Sequence, residues 1–281
     1  MFKFRIHLMA IVLVGVLNAL TISQESNAQE PRYGWQNNLV GNLNLTQNNF
    51  DNWSSGGENS WSWQLDVLSN FVNDQADYNW SNTGKVSFGK AKISGEDARK
   101  AADEIKIESV FTLKLDSVIN PYAAITGLTQ FTAGYNYSIQ PKVKLSNFLD
   151  PGFFTQSIGI SYTPNKQFKT RLGAAIKETV TDKYSDLYAR GEKTRVEAGA
   201  ESVTDVALKL SDNLLFNSKL ELFSAIKGID EIDINWDNLF SVKVSKFINV
   251  GLNIRLFYDK DISSKRQLKQ ILAVGFSYTL F

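Results

Sequence analysis

Apolar and polar side chains alternate with a period of two along most of this chain. From Asn38 to Thr46, Leu39, Leu43 and Leu45 share one face while Asn38, Asn42 and Asn44 share the other. Trp61, Trp63, Leu65, Val67 and Phe71 alternate with Ser60, Ser62, Gln64, Asp66 and Asn70. Ile105, Ile107, Phe111 and Leu113 alternate in the same way with Lys106, Glu108, Thr112 and Lys114. The rhythm returns near 78–88, 122–135, 153–163, 168–178, 214–222, 232–244, 250–256 and 272–280, and more weakly near 194–203. Alternation of this kind sends successive side chains to opposite faces of a strand. About twelve strands, each close to the roughly ten residues that cross a bilayer at a tilt, account for the chain. The predicted fold is all-β, a transmembrane antiparallel up-and-down β-barrel. No segment approaches the roughly 18 consecutive apolar residues of a spanning helix.

The connections test this reading, because outer-membrane barrels alternate short periplasmic turns with longer outside loops. With the first strand running outward, loops fall near 50–59, 90–104, 136–152, 179–193, 225–231 and 259–266. Shorter turns fall near 72–76, 116–121, 163–167 and 245–247, with 204–213 as a long exception. This parity puts both termini in the periplasm. Aromatic residues cluster at the strand ends: Tyr33, Trp35, Tyr78, Trp80, Tyr122, Tyr162, Phe247 and Phe276 on the inner side, Trp53, Trp61, Trp63, Tyr135, Tyr137, Trp236, Phe257 and Tyr258 on the outer. Such girdles suit the two membrane interfaces; in a soluble β-sandwich, the third reading, the same rings would belong in the core.

The start of the chain carries Lys3 and Arg5, an apolar run from Leu8 to Leu17, and the small-residue stretch Ser26, Asn27, Ala28. That order predicts a secretory signal peptide over 1–28, with the barrel occupying 29–281. Cleavage would remove the only His and both Met residues and leave 28 basic and 28 acidic residues. A neutral chain has no electrostatic footprint for nucleic acid. The absence of Cys leaves no disulfide framework, so stability has to come from a hydrogen-bonded scaffold. The closing GFSYTLF resembles the aromatic signal by which barrels are presented to the barrel-assembly machinery, although Phe281 is out of phase with Phe276 and Tyr278.

Without a His in the exported chain, Ser-His and Asp-His chemistries have no base, and without His or Cys the familiar zinc and copper sites have no ligands. The pairs Asp182 with Asp186 and Asp259 with Asp261 lack EF-hand spacing. Asp230, Glu231, Asp233 and Asp237 read as a solvated loop rim rather than paired glycosidase carboxylates. GEDARKAADE and the stretch 182–193 read as mixed-charge loops, and Gly56-Gly57 as a hairpin reversal. No enzyme, cofactor or metal site is expected. The polar faces carry the remaining chemistry: Lys106, Glu108, Lys114, Lys169, Arg171, Lys177, Lys219, Glu221 and Arg255, with Glu178 beside them, are the predicted lumen-lining charges. Charge inside a barrel is costly unless it is paired or wet. These residues therefore either line a narrow aqueous path or interlock and close it, and twelve strands lie between the filled eight and the open sixteen.

Taken together, NWSSGGENS (52–60), RKAADE (99–104), SNFLDPGFF (146–154) and DINW (233–236) resemble a family of outer-membrane proteins of Gram-negative bacteria known as a domain of unknown function. The resemblance, running from about Trp35 to Phe281, implies an outer-membrane barrel surrounded by lipid and brings no catalytic residues. The leading expectation is a non-enzymatic barrel that passes or binds a small solute. The second is a plugged structural or accessory subunit that uses its outside loops.

Overall fold

Period-two segments can bury only one face, and in this protein that face is turned inward around a closed ring. The computed structural model describes residues 33–49, 58–228 and 231–279. The barrel strands are β1 (Gly34–Asn48), β2 (Ser60–Asp74), β3 (Tyr78–Ile93), β4 (Arg99–Leu113), β5 (Ile119–Thr129), β8 (Gly152–Asn165), β9 (Phe168–Val180), β10 (Thr194–Lys209), β11 (Leu214–Ala225), β12 (Ile232–Lys243), β13 (Ile248–Tyr258) and β14 (Gln267–Thr279). A small hairpin, β6 (Gly134–Asn136) and β7 (Val143–Ser146), stands apart in the connection from β5 to β8. The barrel closes in the order β1-β14-β13-β12-β11-β10-β9-β8-β5-β4-β3-β2, with every neighbour antiparallel. The predicted signal peptide, Trp53, the Gly56-Gly57 reversal, Asp230 and the terminal Phe281 lie outside the described residues.

Connections obey the alternation more strictly than the sequence shows. Turns 75–77, 114–118, 166–167, 210–213 and 244–247 sit at one end, and at the other lie loops 94–98, 130–151, 181–193 and 259–266, together with the end of β1, the start of β2, the end of β11 and the start of β12. The long exception at 204–213 disappears because β10 continues to Lys209. The loop expected at 90–104 shrinks to 94–98, since Lys90–Ile93 pair with β2 while Arg99 and Lys100 pair with β3. The run near 122–135 starts earlier, at Ile119, and ends at Thr129. One helical turn, α1 (Ser185–Tyr188), lies in loop 181–193.

The outward face is apolar: Leu65, Ile107, Ile125, Ile158, Leu172, Val196 and Leu272 are all exposed, Leu272 by 73 %. An apolar belt around a closed sheet is the arrangement that hydrocarbon permits and water penalises. Trp35 and Trp80 meet at the short-turn end with their rings tilted at 54°, and Trp61 and Trp236 are exposed toward the other end, as interface anchors require. Two rings of the expected girdles point inward instead. Tyr122 is buried at 5 % exposure among Val110 and Ala124, and Phe257 lines an internal cavity. Both occupy the inward phase of their strands, which outranks nearness to a strand end.

Candidate functional site

On β4 the inward positions alternate in sign, Glu104, Lys106 and Glu108. The charges that answer them stand on the far wall. Lys106 Nζ donates to both carboxylate oxygens of Glu221 on β11, at 2.6 and 2.8 Å. Lys219, two residues earlier on β11, donates to Glu108 at 2.8 Å. Glu104 pairs with Arg255 on β13 and, at 3.1 Å, with Lys85 on β3. β4 and β11 are separated by β5, β8, β9 and β10 on one side of the ring and by a longer arc on the other, so these are bridges across the lumen. Two Lys-x-Glu triplets, Lys106-Ile107-Glu108 and Lys219-Leu220-Glu221, face each other head to tail, each Lys on the other's Glu.

Further pairs brace this crossbar. Arg171 on β9, 2 % exposed, donates to Glu108 at 2.8 Å and to Glu201 on β10 at 3.2 Å. Lys177 reaches Asp233 at 2.7 Å and Asp259 at 2.9 Å. Arg255 also donates to Asn235 at 2.8 Å, and Asn235 in turn donates to Glu221. A buried charge is tolerable when its partners are this close, and removing one partner strands the rest.

The crossbar divides the interior. A cavity of about 760 Å³ lies mainly against β1–β4 and β11–β14, lined by Asn42, Asn44, Gln64, Asp66, Asn253 and Lys269 among others. Buried side chains concentrate toward β5, β8, β9 and β10, and a second cavity of about 140 Å³, lined from both walls by Phe153, Lys177, Val203, Phe223, Asp233 and Phe257, shares the Lys106–Glu221 bridge with the large one. Small inward residues explain the filled side. A side chain at Gly173 would meet the Tyr122 hydroxyl and the backbone of Ile158, and one at Gly159 the backbone of Leu172 and Gly173. The space they leave is taken by Tyr122 and by Arg171, whose guanidinium lies 5.8 Å from the Tyr122 ring centroid.

Residues 45–135 match the model of a protein family of unknown function, DUF3078. That segment holds the three alternating charges of β4 but none of their far-wall partners. No curated protein matches the chain. Among solved structures it is similar to the COG4313 outer membrane channel from Pseudomonas putida F1, at 9 % identity over 92 % of this chain and 98 % of that one, with a TM-score of 0.42. It is also similar to the translocator domain of the autotransporter NalP from Neisseria meningitidis, at 9 % identity over 98 % and 95 % of the two chains and a TM-score of 0.38.

The structure places Lys106, Glu108, Lys169, Arg171, Lys219, Glu221 and Arg255 on the large cavity and Lys177 on the small one. Lys114 stands apart: it lies in the turn after β4, 2.7 Å from Asp74 and 2.5 Å from the Gln75 carbonyl oxygen. Glu178 pairs in register with Val196, on the outward face, because its neighbour Lys177 takes the inward phase. Three carboxylates read as loop or rim residues face inward, Glu104, Asp233 and Asp237; they share the strand phase of Lys106, Asn235 and Leu239, a signal that correct strand ends would have exposed. Asp259 and Asp261 are held by Lys177, Arg190 and Arg195, leaving them committed to cations of the protein itself.

Proposed function

We propose that this protein is a narrow, solute-selective barrel of the bacterial outer membrane, with its short turns and both termini in the periplasm. Outer-membrane lipid meets its apolar belt, and the barrel-assembly machinery inserts it. The observation that carries the reading is the cavity of about 760 Å³ lying beside the double Lys-x-Glu crossbar. That volume falls within the roughly 300–1,000 Å³ typical of small-molecule sites. Its lining of Asn, Gln, Ser and ionic groups suits a small polar or charged solute, and the crossbar restricts the cross-section as a size filter would. Selectivity would come from Lys106, Glu108, Lys169, Arg171, Lys219, Glu221 and Arg255, with Lys177 on the other side of the bar.

Planar-bilayer recording tests this. The purified protein is expected to give small, ion-selective steps. The double variant Lys106→Ala/Glu221→Ala removes one whole bridge without stranding a charge, and the steps should enlarge, while Arg171→Ala should shift cation-anion selectivity. A barrel that inserts, folds and stays silent in all three forms would reject the channel and favour the second reading, which the crossbar itself supports: a plugged barrel serving an outer-membrane assembly through loops 130–151 and 181–193.

A further inference from the structure

The ring closes unevenly. Among the described residues, which end at Thr279, β1 and β14 share five residue pairs, Val40–Asn44 with Gly275–Thr279, and the other eleven ladders hold eight to fifteen. Continued toward the long loops, the same register would set Leu45, Thr46, Gln47 and Asn48 opposite Val274, Ala273, Leu272 and Ile271. All eight are described, all lie in strand, and none is paired across this seam. Each is still laddered on its other edge, to β2 or to β13, so the strands are intact and part from one another. At about 3.3 Å per residue, four unpaired positions make a slot roughly 13 Å long. Below it the seam is tight: a side chain on Gly275 would collide with Asn44 and the Leu43 carbonyl.

Unpaired peptide groups are expensive in hydrocarbon and are tolerated where they border a water-filled cavity. The large cavity reaches this place, since Asn44, Ile271, Ala273 and Gly275 all line it. The chemistry along the slot is graded. Ile271 and Ala273 face the cavity while Leu272 and Val274, 73 % and 58 % exposed, face the bilayer, so the wall is apolar on both sides where the strands part. Lys269 stands next along β14, lines the cavity beside its ladder partner Arg255, and has no carboxylate within ion-pair distance among the described residues. The unpaired stretch of β1 runs beside Trp61 and Trp63, the amphipathic rings that mark a headgroup region.

We propose that the β1–β14 seam is a lateral port between the lumen and the membrane, and that it serves an anionic amphiphile whose headgroup rests on Lys269 while its chain passes Ile271 and Ala273 into the bilayer. This rests on the reading that the lumen carries a solute and names its class and its route.

The chain contains no Cys, so introduced thiols report cleanly. In liposomes under copper-phenanthroline oxidation, Asn42→Cys/Ser277→Cys, a paired rung, should cross-link readily. Thr46→Cys/Ala273→Cys, across the slot, should react about tenfold more slowly or not at all, because thiols on separated backbones cannot meet disulfide geometry. Equal rates would mean a zipped seam and would overturn the port. Independently, a nitroxide on Ala273→Cys should be relaxed by lipid-dissolved oxygen, and one on Leu239→Cys, which lines the cavity away from the seam, by an aqueous nickel chelate. Water-only relaxation at both sites would also overturn it. Sodium laurate, but not dodecyl maltoside, should perturb the Ala273 label, and Lys269→Gln should raise the half-saturating laurate concentration about tenfold, the effect of roughly 1.4 kcal/mol; an unchanged value removes the headgroup assignment. Heat-modifiable mobility on gels verifies that each variant is folded. A silent bilayer recording with a parted seam would reject conduction and keep the port, and the reverse would reject the port alone.

Discussion

The two halves of this barrel are built on different principles although they share one sheet. On β4, β5, β8, β9, β10 and β11 the interior is packed: Val110, Tyr122, Ala124, Ser157, Phe168, Arg171, Val203 and Phe223 are all buried. Among the described residues, β1, β2, β12, β13 and β14 contain no fully buried position, and β3 contains only Ser87 and Gly89. The first half behaves like the core of a small filled barrel and the second like the wall of a cavity. The ionic crossbar is the boundary, rooted in the packed half through Arg171 and Glu201 and reaching the open half through Glu104 and Arg255. Packing is concentrated on one side, which leaves the other with room for solvent or solute.

If that division is real, the same chemical change should cost very different amounts on its two sides. The largest contrast is between carboxylates. Glu108→Gln removes the charge shared by Arg171 and Lys219, leaving Arg171 to Glu201 at 3.2 Å and Lys219 to Asp205 at 3.4 Å. Breaking a buried pair costs about 3–5 kcal/mol, and the surviving partners place this variant near the lower figure. Asp237→Asn, on the open wall, disturbs a hydrogen bond from Asn253 beside the cavity and should cost about 1 kcal/mol or less. Guanidinium unfolding in detergent micelles measures both, as a shift in midpoint at constant slope. Equal losses would mean that the crossbar is solvated and that the two halves are alike.

The division also explains what the sequence shows and what it hides. Period two is plain where one face is wet and the other meets lipid, as in Leu39 to Leu45 or Val250 to Leu256. It fades in β10, one of the two longest strands at 16 residues, because its outward positions Ala198, Ala200, Ser202 and Thr204 are small or polar and contrast little with the inward Gly199 and Val203 between them. Strand ends were hidden by charge, since Arg99 to Glu104 reads as a solvated loop until its pairing with β3 and its partners at Lys85 and Arg255 are known. The crossbar left one trace, the repeated Lys-x-Glu at 106–108 and 219–221. Nothing in the spacing says that two triplets this far apart meet head to tail, because that contact depends on strand number and stagger. The uneven seam depends on the same stagger and leaves no local signature.

A sharper contrast of intermediate size comes from glycine. Gly173→Ala in the packed half would press a methyl group against the Ile158 backbone and the Tyr122 hydroxyl, and overpacking of this kind costs about 1–3 kcal/mol. At Gly251, which lines the large cavity, the added atom meets only the Leu239 side chain at 3.8 Å, an ordinary contact, so Gly251→Ala should stay within about 0.5 kcal/mol of the parent. The same unfolding assay ranks them. A Gly173→Ala protein as stable as the parent would show that the Tyr122 layer yields, and the packed half would lose its claim to tight packing.

The smallest expected effect tests whether the packed half carries its order into the loops above it. Asp150, in loop 130–151, is buried, and its carboxylate accepts bonds from the Thr181 hydroxyl at 2.5 Å and from the backbone N–H groups of Asp182 and Lys183 at 2.9 and 3.2 Å. Burial alone would raise its pKa, but these bonds and the Lys183 charge outweigh it and hold the group below the ordinary carboxylate value. A depressed pKa stabilises the folded loop pair fully above the unfolded value of about 3.9 and loses that contribution as pH falls through the lower folded value. Pepsin cleavage in 130–151 and 181–193 should therefore accelerate relative to a control substrate as pH drops from 4.5 to about 2, a window that follows from the same linkage. Asp150→Asn should cleave faster at pH 4.5 and show little further change on acidification. The exposed Lys193–Asp182 bridge is the internal control, because a solvated pair of this kind contributes at most about 1 kcal/mol and Lys193→Gln should leave the profile unmoved. A parent whose cleavage ignores pH in this window would confine that order to the strands, with the loops tied down by packing alone.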